Sequence, residues 1–312
     1  MHKFGFVFPG QGSQKTGMLA ELAQAHPLVL STLAEVSEAL GQDLWRIIQE
    51  NPDGQLDKTE YTQPALLATS VAIWRLWQQQ QGPLPEMLAG HSLGEYSALV
   101  CAGVMDLADG IRLVHRRGLY MQAAVPVGTG AMAAIIGMDD SKIDEICRSV
   151  AGAGVVSAAN FNSPGQTVIA GDKEAVERAM VALKEAGAKR ALPLNVSVPS
   201  HCALMKPAAD QLADELSAVE FRSPSIPVVQ NINGRAVRDS GEMRDNLLKQ
   251  LYMPVQWVDT VYCMRDFGVA KVVECGPGKV LGGLIKRIHP EMEAFSTDVP
   301  EAFTEALAGV AR

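Results

Sequence analysis

Gly90-His91-Ser92-Leu93-Gly94 sets a serine between two glycines, and this spacing can make a nucleophile. A short apolar run, Met87-Leu88-Ala89, precedes it and a helix-like run from Glu95 to Val100 follows. The pattern predicts a strand, a sharp turn and a helix, with Ser92 held at the turn and small residues on either side so that chain and substrate can approach. The amide of Leu93 then falls at a helix N-terminus, where an oxyanion can be bound. Serine is a weak nucleophile near neutral pH and needs a general base.

Six histidines compete for that role. His2 is terminal, and His26 and His289 each precede a proline in a polar setting. His91 adjoins Ser92 but its side chain should leave the turn in another direction and support it. His115 lies among Arg112, Arg116 and Arg117, whose charges disfavour an imidazolium. His201 remains, in Val196-Ser197-Val198-Pro199-Ser200-His201, just before a helix expected to begin near Cys202. A hydrolase triad adds a carboxylate to orient the histidine. Asp139, Asp144 and Asp172 read as helix starts or solvated faces, so either a backbone or amide oxygen serves or the acid is hidden. Cys202 beside the histidine reads as a small buried thiol.

Elements must position these residues. Short apolar runs ending at glycine loops (Phe4 to Phe8, Met87 to Ala89, Lys271 to Glu274) alternate with helical patterns such as Tyr61 to Gln81, which predicts an α/β architecture. Between about Val127 and Leu194 the order changes. Strand Ala131 to Ile136, helix Asp139 to Val150, strands Val155 to Ala159 and Thr167 to Ala170, helix Lys173 to Ala186 and strand Lys189 to Leu192 make βαββαβ, the ferredoxin-like unit. The expectation is a discontinuous catalytic domain, residues 1–126 and 198–312, with a small domain, 127–197, inserted into it. A cleft between the two is the default ligand site.

Composition limits the function classes. The chain has 312 residues, 47% hydrophobic, with a net charge of -8, so it can bury a large core and lacks the basic field of a general nucleic-acid binder. Its five scattered cysteines fit reduced thiols in a cytoplasm. The N-terminal apolar run is too short for a signal peptide, and none approaches the roughly 18 residues of a membrane helix. Gly10-Gln11-Gly12 lacks the third glycine of a dinucleotide fingerprint, since Lys15 stands there, and Gly278-Lys279 lacks the rest of a P-loop. Both loops read as tight turns.

The chain resembles the malonyl-CoA:acyl carrier protein transacylase family, the acyltransferases of bacterial fatty acid synthesis. The resemblance spans nearly the whole length, through Phe8-Pro9-Gly10-Gln11-Gly12-Ser13-Gln14, Gly90 to Glu95, Arg117 to Gln122, Gly130 to Ala134, Asn160 to Gln166, Ser200-His201, Gln250-Leu251 with Pro254-Val255, and Glu274-Cys275-Gly276-Pro277-Gly278. It implies a hydrolase-like α/β core with an inserted ferredoxin-like domain. It implies Ser92 as nucleophile, His201 as base, the main-chain carbonyl of Gln250 as the group orienting that base, and the amides of Gln11 and Leu93 as the oxyanion hole. Among the three arginines it selects Arg117 for the substrate carboxylate, a role suited to a planar guanidinium fork.

The partners implied are malonyl-CoA and acyl carrier protein, with no nucleic acid or membrane, and no metal or redox cofactor is required. Ser200 stands where an aromatic residue often precedes the base in malonyl-selective polyketide acyltransferases. Discrete fatty-acid enzymes carry this serine, which favours malonyl. An acidic carrier needs local positive residues, for which Lys189-Arg190 and Lys286-Arg287 are candidates. The alternatives are a polyketide acyltransferase, distinguished by its carrier, a serine hydrolase or thioesterase, distinguished by loss of the acyl group to water, and a carrier-binding subunit that forms no acyl-enzyme.

Overall fold

The computed structural model describes residues 3–196 and 198–311. In chain order its strands are β1 (Lys3–Phe8), β2 (Met87–Gly90), β3 (Gly130–Ile136), β4 (Val156–Ser163), β5 (Gln166–Asp172), β6 (Arg190–Pro193), β7 (Val228–Gln230), β8 (Arg235–Val237), β9 (Val269–Glu274) and β10 (Glu293–Ser296). Six of them form one sheet in the order β10-β9-β1-β2-β7-β8, parallel except for the β7–β8 pair. Register aligns Phe8 with Gly90 and Val7 with Glu274. The carboxyl ends of β1, β2 and β9 therefore open onto one edge, where ligands of open parallel sheets bind.

β1 is covered on both faces, which is why it reads as a continuous apolar run. Phe4, Phe6 and Phe8 point into the larger core, while Val7 points into a second cluster with Trp257 and Met264. Phe6 meets Trp77 edge-on at 5.0 Å and Trp74 at 5.3 Å, both from the buried helix Thr59–Gln79. Fully burying one such side chain stabilises the fold by about 1.5–3 kcal/mol.

The other four strands form an antiparallel sheet in the order β4-β5-β3-β6. With helices Asp140–Val150 and Lys173–Glu185 this is the ferredoxin-like order. Strand alternation divides the duties of β3. Ala133 and Ile135 join Val176, Ala179 and Leu183 under the helices, whereas Met132 shares the opposite face with Val168 and Cys202. The fold is thus a mixed α/β one, with a mainly parallel sheet and a small antiparallel one.

Some boundaries differ from the sequence expectation. β4 runs on to Ser163, because the Asn160-Phe161-Asn162 stretch continues pairing through two irregularities before the chain turns at Gly165, φ 71°. The helix expected near Cys202 begins as a single 3-10 turn, Ala203–Met205, and becomes α-helical at Lys206 beside Pro207. β7, β8 and β10 had no sequence signal, being only three or four residues long.

Candidate active site

β2 ends at Gly90 and the helix Leu93–Cys101 begins three residues later, leaving Ser92 at φ 52°, ψ -111°. A non-glycine residue is held there only when its surroundings over-determine it. They do so by contact. A Cβ on Gly90 would stand 1.9 Å from the carbonyl carbon of Gly94, and one on Gly94 would stand 2.0 Å from the Phe8 carbonyl oxygen. Hydrogen bonds complete the clamp: the Ser92 amide donates to Asn231 Oδ1 at 2.7 Å, and Asn231 Nδ2 donates to the Gly90 carbonyl at 2.5 Å.

His201 comes from the irregular segment after β6 and brings Nε2 to 2.8 Å from Ser92 Oγ. Its own backbone has φ 62°, and its amide donates to the Leu251 carbonyl at 2.9 Å. Nδ1 lies 2.6 Å from the Gln250 main-chain oxygen. A carbonyl only accepts, so Nδ1 carries the proton, Nε2 presents its lone pair, and the Ser92 hydroxyl donates. Burial, reinforced by the nearby Arg117 charge, pushes His201 down to about 3. The ring is neutral at physiological pH.

Arg117, on the helix Leu107–Ala124, is 1% exposed. Nη1 donates to Gln63 Oε1 at 2.7 Å and Nη2 to Gln250 Oε1 at 3.0 Å, while Nη2 also stands 3.5 Å from Ser92 Oγ. Its Nε has no partner among the described residues. Burial lowers its affinity for the proton, opposed by the neighbouring Tyr96 and Glu95. Arg112 and Arg116 instead pair at the surface with Asp109 and Glu215.

The Gly10-Gln11-Gly12 loop presses against the elbow, since a Cβ on Gly10 would lie 2.5 Å from the His91 carbonyl oxygen. Around the serine, the amides of His91, Ser92, Gly94 and Glu95 donate to Phe8, Asn231, His91 and Ser92 oxygens. Among the described residues, the Leu93 amide has no such acceptor. Gln11 and Leu93 both border a cavity of about 470 Å³ that also reaches Ser92, Arg117, His201, Met132 and Leu194. The Gln11 side chain is tied back by Thr59, whose hydroxyl donates to it at 3.0 Å and accepts from Gln63 Nε2 at 3.1 Å.

Other sequence candidates lie elsewhere. His115 Nδ1 sits 2.8 Å from the Glu60 carbonyl, His26 and His289 flank helix ends, and His2 is outside the described residues. His91 turns away from Ser92 to Asn162 Oδ1 at 2.8 Å, joining the elbow to β4. Cys202 is buried, its thiol pushed up to about 12 by that burial, and it donates to the Pro199 carbonyl. Gly278-Lys279 leads into the helix Val280–Ile288, whose Leu281 and Gly282 amides donate to Glu274.

Sequence reasoning missed Asn231, Gln63 and the side chains of Glu95 and Gln250. Each is a buried polar residue in an apolar setting, a signal visible only once the neighbouring elements are known.

Comparison with known proteins places the whole chain. Residues 5–296 match the family described as acyl transferase domain. The chain is 59% identical over 307 residues to the malonyl CoA-acyl carrier protein transacylase of Escherichia coli K12, covering 98% of this chain and 99% of that one. It is 41% identical over 308 residues to the Bacillus subtilis protein of the same name, covering 98% and 97%. Among solved structures, the malonyl CoA-acyl carrier protein transacylase of Coxiella burnetii superposes with a TM-score of 0.98 at 48% identity, covering 100% of this chain and 98% of that one. A malonyl-transacylase solved with a type II PKS acyl-carrier protein superposes at 0.97 with 56% identity, covering 98% and 99%. On these matches, which run nearly end to end, the chain belongs to the acyl transferase family.

Proposed function

We propose that this protein transfers the malonyl group of malonyl-CoA to the phosphopantetheine thiol of acyl carrier protein, through an ester on Ser92, in fatty acid synthesis. The observation that carries the reading is a buried guanidinium, Arg117, held by two amide oxygens rather than a carboxylate and aimed at the hydroxyl of Ser92. A charge so placed favours an acyl group that brings its own carboxylate.

The steps follow from the atoms. His201 Nε2 takes the Ser92 proton as Oγ attacks the thioester carbonyl, and the Gln11 and Leu93 amides receive the oxyanion. The carbon–sulfur bond breaks, the proton on Nε2 goes to the departing sulfur, and coenzyme A leaves as a thiol. The carrier's thiol then enters, gives its proton to His201 and attacks the Ser92 ester; the same proton returns to Oγ as the ester breaks. Each step uses groups of this chain and its two substrates, with no call on a metal or redox cofactor.

A neutral carbonyl behind the histidine suits a thiol acceptor. A carboxylate there would stabilise the imidazolium and strengthen the base. Without one the base is weaker, and of the two acceptors that could take the acyl group from Ser92, a thiol is far more acidic and more nucleophilic than water and needs less help from it. This favours transfer over hydrolysis.

We assign residues 1–126 with 198–312 to the catalytic domain and 127–197 to the inserted one. The exposed Lys189-Arg190 and Lys286-Arg287 pairs are the proposed contacts for an acidic carrier. No helix among the described residues is long and apolar enough to cross a membrane. We place the protein in the cytoplasm, where its substrates would be found. A polyketide carrier is the second reading, because one similar solved structure is a complex with a type II PKS carrier.

Intact-protein mass after brief exposure to malonyl-CoA, then to phosphopantetheinylated carrier, tests the proposal with Ser92→Ala in parallel. A malonyl adduct on the wild type alone that moves to the carrier supports it. An adduct lost to water makes the protein a hydrolase, and no adduct removes the enzymatic reading. Supplying fatty-acid and polyketide carriers separately distinguishes the two pathways.

A further inference from the structure

Glu95 is 1% exposed, one helical turn past Ser92, and the proposed mechanism gives it nothing to do. Its Oε2 accepts from the Asn231 amide and from Gln250 Nε2, each at 2.9 Å, and Oε1 accepts from Gln230 Nε2 at 3.0 Å. An ionised carboxylate can only accept, so both glutamine side chains must turn their NH2 groups toward it. The Ser92 carbonyl, which accepts from Gln250 Nε2 at 3.0 Å, reinforces the orientation of that amide, and the remaining oxygens are aimed accordingly. Gln230 Oε1 receives Asn246 Nδ2 at 2.7 Å, and Gln250 Oε1 receives Arg117 Nη2 at 3.0 Å.

We infer that Glu95 is a positioning residue for substrate selection: by fixing which way the Gln250 amide faces, it holds the Arg117 fork toward the acyl group on Ser92. The inference rests on the malonyl reading above and deepens it. With the amide reversed, an NH2 group would face a guanidinium, two donors would oppose each other, and the fork would lose one of its two fixed supports. The nucleophile and base are less exposed to this change. His201 is oriented by the main-chain oxygen of Gln250, which does not depend on the side chain, and Ser92, although its carbonyl accepts from Gln250 Nε2 at 3.0 Å, keeps its glycine-packed turn and the bond from its own amide to Asn231. Glu95 therefore bears on which acyl group is accepted more than on whether acylation occurs.

The test is Glu95→Gln, with single-turnover acylation of Ser92 measured for malonyl-CoA and acetyl-CoA. Malonyl acylation should fall roughly ten- to hundredfold, the range of a lost hydrogen bond to a charged group, with acetyl acylation changing only a few-fold. A merely structural role would lower Tm and slow both acyl groups alike, and that result would overturn the inference. Gln250→Met provides a second route should Glu95→Gln fold poorly: whatever it does to the absolute rates, it should lower the ratio of malonyl to acetyl acylation as Glu95→Gln does, and the ratio should fall no further in the double variant, since both act through one contact. A fully additive double variant would also count against the assignment. A wild type that forms no malonyl ester would sink the malonyl reading instead. In that event the crystal structure of Glu95→Gln still decides the Glu95 role, through whether Arg117 Nη2 has left hydrogen-bond distance of Gln250.

Discussion

The two halves of the proposed catalytic pair are built in opposite ways. Ser92 is held by steric contact among near neighbours: Gly90 and Gly94 pack so tightly that neither tolerates a Cβ, and β1 supplies the wall. His201 is held by hydrogen bonds to residues some fifty positions away, with its amide on the Leu251 carbonyl and its ring on the Gln250 carbonyl. That second segment is itself pinned between the sheets, because Val255 exchanges backbone hydrogen bonds with Ala159 and Phe161 of β4. The contrast teaches that the geometry of the proposed nucleophile is set by one short peptide packed on β1 and pinned by Asn231, whereas that of the proposed base rests on hydrogen bonds between distant irregular segments.

The largest expected effects strike the pair itself. Ser92→Ala should lower transfer on the order of a millionfold and leave no acyl adduct in the mass spectrum, since the step has no other nucleophile. An adduct persisting in that variant would move the chemistry to another side chain. Gly94→Ala probes the steric half. Its methyl would be driven against the Phe8 carbonyl, so a destabilisation of roughly 3 kcal/mol or more is expected in urea unfolding, together with loss of acylation. A Gly94→Ala protein of normal stability and activity would mean that the elbow is less constrained than its contacts indicate.

This contrast also explains what could be read from the sequence. The elbow was legible because its signature is local: five consecutive residues carry the strained serine and the glycines that let the chain pack around it. β1, β2 and β9 were legible as apolar runs ending in glycine, and the ferredoxin-like unit as an alternation of periods. The orienter of His201 was not, because any residue offers a carbonyl and no side-chain type marks position 250. It entered only through the family resemblance. Glu95 escaped for a related reason. It looks like an ordinary acidic residue in a helix's first turn, favourable to the helix dipole, and only its burial against Gln230, Asn231 and Gln250 gives it a different meaning.

An intermediate effect separates the clamp from the chemistry. Arg117→Ala should reduce malonyl acylation roughly a hundredfold relative to acetyl acylation, measured as the ratio of kcat/KM for the two thioesters. Equal losses would remove Arg117 from carboxylate recognition. The same assay bears on the non-local half: a base oriented by a main-chain oxygen should survive side-chain loss at position 250. Acetyl acylation by Gln250→Met should stay within about tenfold of the wild type, far from the roughly 10⁴-fold cost of disabling a carboxylate orienter. A collapse of that size would mean that the side chain, too, holds the imidazole.

The smallest effect is a pH dependence, and its sign differs between the two regions. His201 is pushed down from 6.5 to about 3 by burial, so it stays neutral from pH 8 to about 5 and adds no acid limb to acylation. Its contribution to stability is present above 6.5 and is lost as pH falls toward 3, because only the unfolded ring takes up a proton in that window. Glu95 behaves oppositely. Burial raises it from 4.5 to about 7, against the pull of its Asn231, Gln250 and Gln230 donors and of Arg117. Its stability contribution is present below 4.5 and is lost as pH rises to about 7, where the folded protein must give up a proton that the unfolded chain has already released. Protonated Glu95 can donate, and it then no longer dictates the face that Gln250 shows to Arg117. The ratio of malonyl to acetyl acylation should therefore decline as pH is lowered through about 7, while acetyl acylation stays level. A ratio that is flat from pH 8 to 5.5 would separate Glu95 from substrate choice and leave the elbow's carboxylate with the same silent titration as the base.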